Sequence, residues 1–310
     1  MVVIPRFPAT QEEILVPSTD SEVTLSGRNN YGPTPPGRAV WCARTTPLAP
    51  VEVDEVVELV VKARLGRKSA SLPERLWTRH WDSIMTVVLR VNDRVGWEPA
   101  GWKIGAASTE VQKAEGLPGP APGRLHRHGV HASPARLSKE LFINYRNSEC
   151  EFAFRLGADL PPRSAPYTES DVAAAIESLM PAVEIGDTIF EDWYGASAYL
   201  GSCLDNGGAA AFVHGLPIRD WQRLDLPNAR IDLHLNGRFI KSGYGRAAMG
   251  HPLTSLTWLA NWLRERGLGR AYRHGAATRL VFLRPGDMTG DGAFAFAPGR
   301  LGLRVDRLGM

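Results

Sequence analysis

The segment Ser148–Gly157 reads SECEFAFRLG, and its alternation decides the fold class. Phe152, Phe154 and Leu156 fall on one side of an extended chain, and Glu149, Glu151 and Ala153 on the other, because successive strand side chains point to opposite faces. The pattern predicts a β-strand with two carboxylates side by side on one face. Like charges that close are unfavourable unless water or a cation lies between them. A solvated strand face is the bland alternative.

Similar runs surround this segment, separated by Gly and Pro: GWKIGAAS (101–108), PAVEIGD (181–187), CLDNGGAAAFVHG (203–215), RIDLHLNGRFIKSG (230–243) and LGLRVDRL (301–308). Asn236-Gly237 between RIDLHL and RFIKSG predicts a hairpin, since a two-residue turn of this type needs φ > 0 at both positions. Two helices are expected to interrupt the strands. One begins near Ser170-Asp171 and stops before Pro181. The other, PLTSLTWLANWLRERG, opens on Pro252, aligns Leu256, Leu259 and Leu263, and has Gly267 past its end.

Upstream the periodicity is helical. Val53, Val56, Val57, Val60 and Val61 form one apolar stripe, and Trp77, Trp81, Ile84, Val88 and Val91 a second. Both read as core faces. Residues 1–50 are rich in Pro, Gly, Ser, Thr and Asn and read as an irregular arm. No internal repeat is visible. The expected organisation is an α+β chain: an arm over 1–50, a helical region over 51–100 and a larger mixed body over 101–310.

Composition narrows the function classes. The 310 residues are 44% hydrophobic and 22% charged, which fits a globular chain and excludes a wholly disordered one. A net charge of +3 with scattered basic residues argues against a nucleic-acid binder. No apolar run approaches the ~20 residues of a membrane span, and the first residues do not read as a secretory signal. Cys42, Cys150 and Cys203 share no CxxC spacing, so a disulfide framework and a cysteine zinc site are not expected, and a reducing cytoplasm fits.

Glu184 strengthens the case for chemistry. In PAVEIGD it lies between Val183 and Ile185, where a carboxylate needs a partner because burying an unpaired charge is costly. Glu149, Glu151 and Glu184 together are hard oxygen donors of the kind that suit Mg²⁺ or Mn²⁺. Salt bridges to arginine are the alternative. Lys103 sits between Trp102 and Ile104, where apolar neighbours would lower its pKa and suit it to proton transfer. A lysine with its head in solvent is the alternative. His126, His128 and His131 read as loop residues, and His251 as a helix cap. GDMTGDG (286–292) does not form a nucleotide-binding fingerprint, and neither GxSxG nor HExxH occurs.

From about Trp81 onward the sequence resembles the 2-keto-4-pentenoate hydratase group of the fumarylacetoacetate hydrolase superfamily. The landmarks, in order, are GWKIGAAS, SECEFAFRLGADLP, MPAVEIGDTIFEDW, LDNGGAAAFVHG and GHPLTSLTWLANWL. The resemblance implies a mixed β-roll or sandwich body, like the superfamily's C-terminal domain, beside a smaller helical N-terminal region. It implies that Glu149, Glu151 and Glu184 hold Mg²⁺ or Mn²⁺ and that Lys103 is the active-site lysine. The third ligand being Glu favours the hydratase and decarboxylase branch over the C–C hydrolases. So does LDNGGAAAFV, which lacks the lysine that hydrolases tend to carry there.

The implied activity is that of a lyase, hydrating a 2-hydroxy-2,4-dienoate or acting on a related 2-oxo acid, in a cytoplasmic homo-oligomer. Decarboxylation, tautomerisation or C–C cleavage of a β-dicarbonyl compound are alternatives, as is a silent subunit that binds a small acid. Two departures stand out. Relatives often carry an acid where Ala121 stands in GPAPGRL. Their Thr-Gly-Ser-type substrate segment has only a candidate counterpart here, Thr289-Gly290.

Overall fold

A computed structural model describes residues 44–135, 137, 141–190, 201, 203–235, 238–268, 280–283 and 301–304. The alternating segment lies within β4 (Asn144–Leu156), which pairs antiparallel along its length with β5 (Ile176–Thr188). Around this pair a mixed sheet runs in the order β2-β1-β9-β4-β5-β6-β3. Its other members are β1 (Pro99–Gly105), β2 (Ala121–His126), β3 (Val130–Ala132), β6 (Ala209–His214) and β9 (Leu280–Leu283).

The sheet has to curl. β2 and β3 stand at opposite ends of the order, yet only the turn Arg127–Gly129 joins them. Three residues reach about 10 Å, whereas the outer strands of seven laid flat would stand about 29 Å apart. The seam is tight enough to exclude a side chain: a Cβ on Gly129 would lie 2.4 Å from the Ala210 carbonyl oxygen. The expected β-roll is present.

Both faces of the roll are dry, which is why β4 alternates between two kinds of buried residue. Phe152, Phe154 and Leu156 join the large core that also holds the helices. There Phe154 meets Trp221 edge-on at 6.2 Å, and Trp102 meets Trp262 at 6.0 Å. The concave face carries a smaller cluster, with Ala153, Met180, Ala182 and Phe212 from the centre of the sheet packed with Ala100 and Leu125 from its edge. Strands β7 (Arg230–Leu235), β8 (Arg238–Tyr244) and β10 (Leu301–Arg304) form a second sheet. Leu235 pairs with Arg238, so β7 and β8 are the expected hairpin, although Asn236 and Gly237 lie outside the described residues.

Helix α1 (Pro50–Gly66) buries all five valines of its stripe. Glu52 reaches back to accept from the Ala49 N–H at 2.7 Å, which closes the first turn. Helix α2 (Trp81–Arg94) is capped by the His80 ring, which accepts from the Ser83 N–H at 3.3 Å. Trp77 is buried but precedes this helix rather than belonging to it. Arg64 anchors α1 to the roll: its guanidinium donates to Asp205 at 2.7 and 2.5 Å and lies 3.4 Å from Asp187. Helix α5 (Pro252–Glu265) starts on Pro252 with His251 as its cap and buries Leu256, Leu259 and Leu263, as expected.

Two expectations need correction. A short helix, α3 (Thr109–Glu115), follows β1; Ser108 caps it and left-handed Gly116 ends it. The helix expected up to Pro181 is only α4 (Glu169–Ala175), capped by Thr168, and Pro181 lies within β5. Pro181 is tolerated because it sits just past the end of the β5–β6 ladder, whose last pair is Ala182 with His214.

Candidate metal and catalytic site

Register brings the three glutamates together. Glu149 on β4 pairs directly with Glu184 on β5, and Glu151 pairs with Ala182 two residues along the same face. Each offers a carboxylate oxygen, and the three oxygens lie within 4.8 Å of one another. The solvated-face reading fails, because Glu149 is 8% exposed, Glu151 1% and Glu184 3%.

Lys103 comes from β1, which is separated from β5 by β9 and β4. Its Nζ nevertheless lies 3.2 Å from Glu184 Oε1. Flat strands this far apart in the order would be about 14 Å apart, so the curl of the roll makes the contact. The lysine head is buried, not in solvent. Burial pushes the ammonium's pKa down, but the charges of Glu184, Glu149 and Glu151 and the hydrogen bond to Glu184 outweigh it and raise the pKa above its ordinary value. The expected lowering by apolar neighbours is therefore present but overridden by neighbours that sequence distance concealed.

The donor set fits a hard divalent cation. The cluster gathers three buried carboxylates beside one ammonium. Among the described residues no histidine or cysteine joins them, which matches the oxygen preference of Mg²⁺ and Mn²⁺. No other group of three such side chains occurs among the described residues.

The remaining candidates are placed less favourably or lie outside the description. Ala121 is buried at the start of β2, opposite Gly105. His126 ends β2, and its ring packs against Trp97 and His128 rather than standing in a loop. Thr289 and Gly290 lie outside the described residues. Sequence reading missed the turn Asp205–Gly207, which packs against Lys103. Its signal was Asn-Gly-Gly before a strand, a sequence suited to left-handed backbone.

No family model matches the chain. Curated relatives do. The 2-hydroxyhexa-2,4-dienoate hydratase of Comamonas testosteroni is 32% identical over 205 residues, covering 64% of this chain and 76% of the relative. The 2-hydroxypent-2,4-dienoate hydratase of Pseudomonas putida is 30% identical over 220 residues, covering 70% and 97%. Among solved structures, 4-oxalocrotonate decarboxylase from Pseudomonas putida G7, complexed with magnesium and adipate, superposes with a TM-score of 0.64 at 23% identity, covering 79% of this chain and 90% of that one. That likeness speaks to fold, and the sequence matches speak to descent. With nearly the whole length of one hydratase covered at this identity, the chain belongs to the 2-keto-4-pentenoate hydratase group.

Proposed function

We propose that the protein is a divalent-metal-dependent hydro-lyase that adds water to a 2-hydroxy-2,4-dienoate, with Glu149, Glu151 and Glu184 as metal ligands and Lys103 as the proton-transferring group. The observation that carries this reading is the 3.2 Å approach of Lys103 Nζ to a buried three-carboxylate cluster, in a chain with dienoate hydratases among its curated relatives.

Mg²⁺ or Mn²⁺ bound by these glutamates would supply Lewis acidity to a substrate's carboxylate and 2-oxygen. The chain's own residues do the rest. The three carboxylates fix where the acidic end of the substrate can sit. Lys103, carrying its proton beside Glu184, is placed to give that proton up and take it back as the dienol becomes a 2-oxo acid. The apolar face of Ala153, Met180 and Phe212 lies beyond the glutamates and helps to keep the cluster dry. Thr289 and Gly290 are assigned to substrate binding on the family resemblance. The catalytic body is taken as residues 101–310, with helices over 51–100 and an arm over 1–50.

No helix among the described residues is long and apolar enough to cross a membrane. Cys150 and Cys203 are buried thiols, which fits a reducing cytoplasm. A homo-oligomer is expected on the family pattern, and a monomeric mass in light scattering would count against it.

The test is an assay of the Mn²⁺-loaded protein on 2-hydroxypenta-2,4-dienoate, following loss of the conjugated chromophore and identifying the product by mass. Gain of one water supports hydration. A second reading, decarboxylation, draws on 4-oxalocrotonate decarboxylase of Pseudomonas putida, 31% identical over 121 residues. It predicts release of CO₂ from the corresponding diacid and no water gained.

A further inference from the structure

Lys103 is held from the side by a turn that the helical front of the molecule fixes in place. Its stem runs beside two glycines. On β2, Gly123 is its register partner, and a Cβ there would lie 3.4 Å from Lys103 Cδ. From the segment entering β6, Gly207 approaches so closely that a Cβ would lie 3.3 Å from Lys103 Cε and 3.4 Å from Nζ. The turn is left-handed at Asn206 (φ 59°) and at Gly207 (φ 69°).

Asparagine adopts left-handed backbone more readily than other non-glycine residues, and here its side chain is also tied down on both sides. The Asn206 side chain clasps β2, accepting from the Arg124 N–H at 2.7 Å and donating to the Arg124 carbonyl at 2.8 Å. The same Oδ1 accepts from Asn92 Nδ2 of α2 at 2.9 Å. One residue earlier, Asp205 receives the two Arg64 bonds from α1 and a third from the Ile189 N–H at 2.7 Å. Both front helices thus grip a turn whose far side touches the lysine.

We propose that Asn206 and Gly207 are positioning residues for Lys103, and that α1 and α2, through Arg64 and Asn92, hold its ammonium in line with Glu184. The proposal takes Lys103 to be the proton-transferring group and so rests on the functional reading above. Neither residue touches substrate in this account. They remove the freedom of a long side chain that would otherwise swing along the roll.

The test compares Gly207→Ala, Asn206→Ala and the control Gly250→Ala in the Mn²⁺-loaded enzyme. Gly250 has φ 83° with open space around its Cβ position, so it carries the backbone penalty without the lysine contact. In Gly207→Ala, kcat is expected to fall about tenfold or more, while KM and the Mn²⁺ dissociation constant stay within about threefold of wild type. Gly250→Ala is expected to keep its kcat. A crystal structure of Gly207→Ala should show Lys103 Nζ displaced from its 3.2 Å contact with Glu184.

Unchanged kcat in Gly207→Ala, an equal loss in Gly250→Ala, or an undisplaced lysine overturns the proposal. If Asn206→Ala does not fold, Gly207→Ala still decides, since it removes no side chain that hydrogen-bonds in the turn. If wild type turns over no dienoate, the functional reading fails, and the position of Lys103 in the variant structure still settles the geometric claim.

Discussion

Glu149 and Glu184 are directly paired residues on neighbouring antiparallel strands, both buried on the concave face of the roll. Like charges in this position repel, and Glu151 adds a third from the same face. Lys103 lies 3.2 Å from Glu184. A divalent cation would relieve the repulsion among the three carboxylates, so metal should stabilise the fold as well as support chemistry. At 100 times its dissociation constant, a ligand adds about 2.7 kcal/mol, which raises Tm by roughly 4 °C for a chain of this length. Differential scanning fluorimetry with Mn²⁺ checks this, and Glu151→Ala should abolish the shift.

The same repulsion predicts the opposite sign for the metal-free protein. Glu149→Gln removes one charge from the cluster but keeps the side chain's shape. In the presence of a chelator it should leave the protein at least as stable as wild type, by roughly 1 kcal/mol, and it should weaken Mn²⁺ binding. Chemical denaturation with and without Mn²⁺ separates the two effects. Loss of stability in chelator would mean that Glu149 serves the fold and not the ion.

Lys103 should divide catalysis from metal binding. Lys103→Met keeps an unbranched apolar stem against Gly123 and Gly207 but removes the proton carrier. Turnover should drop about 10²- to 10⁴-fold, while Mn²⁺ still binds, measured by calorimetry or electron paramagnetic resonance. The variant also removes the cation that offsets the glutamates, so its Tm without metal should fall. Full activity in Lys103→Met would exclude the lysine as the proton-transferring group.

The carboxylate pair was legible because strand alternation and residue type are local properties. Ser148–Gly157 declares which side chains share a face, and two glutamates on an otherwise buried strand are conspicuous. The contact between Lys103 and Glu184 was not legible from periodicity, because it depends on closure of the roll across three strand intervals. For the same reason the direction of the lysine's pKa shift was misread: its sequence neighbours are apolar, while its spatial neighbours are anions. Pro181 misled in another way. Proline ends helices readily, but it also fits a strand where the neighbouring ladder stops, and only the β5–β6 register shows that it does.

His126 gives the molecule a pH dependence of its own. Burial, then the charges of His128, Arg124 and Arg64, push its imidazole pKa down to about 3. The unfolded chain, titrating near the ordinary value of 6.5, therefore binds a proton that the folded chain refuses. Stability contributed by neutral His126 is complete above that value and declines as pH falls toward 3. Between pH 7 and pH 5 the loss from this one group is about 2 kcal/mol. His126→Phe keeps an aromatic ring against Trp97, whose centroid lies 5.1 Å from the imidazole, and has nothing to protonate. Urea denaturation at pH 7 and pH 5 should show wild type losing more stability than the variant by about that amount. Equal losses in the two proteins would mean that the imidazole takes up its proton in the folded state as readily as in the unfolded one.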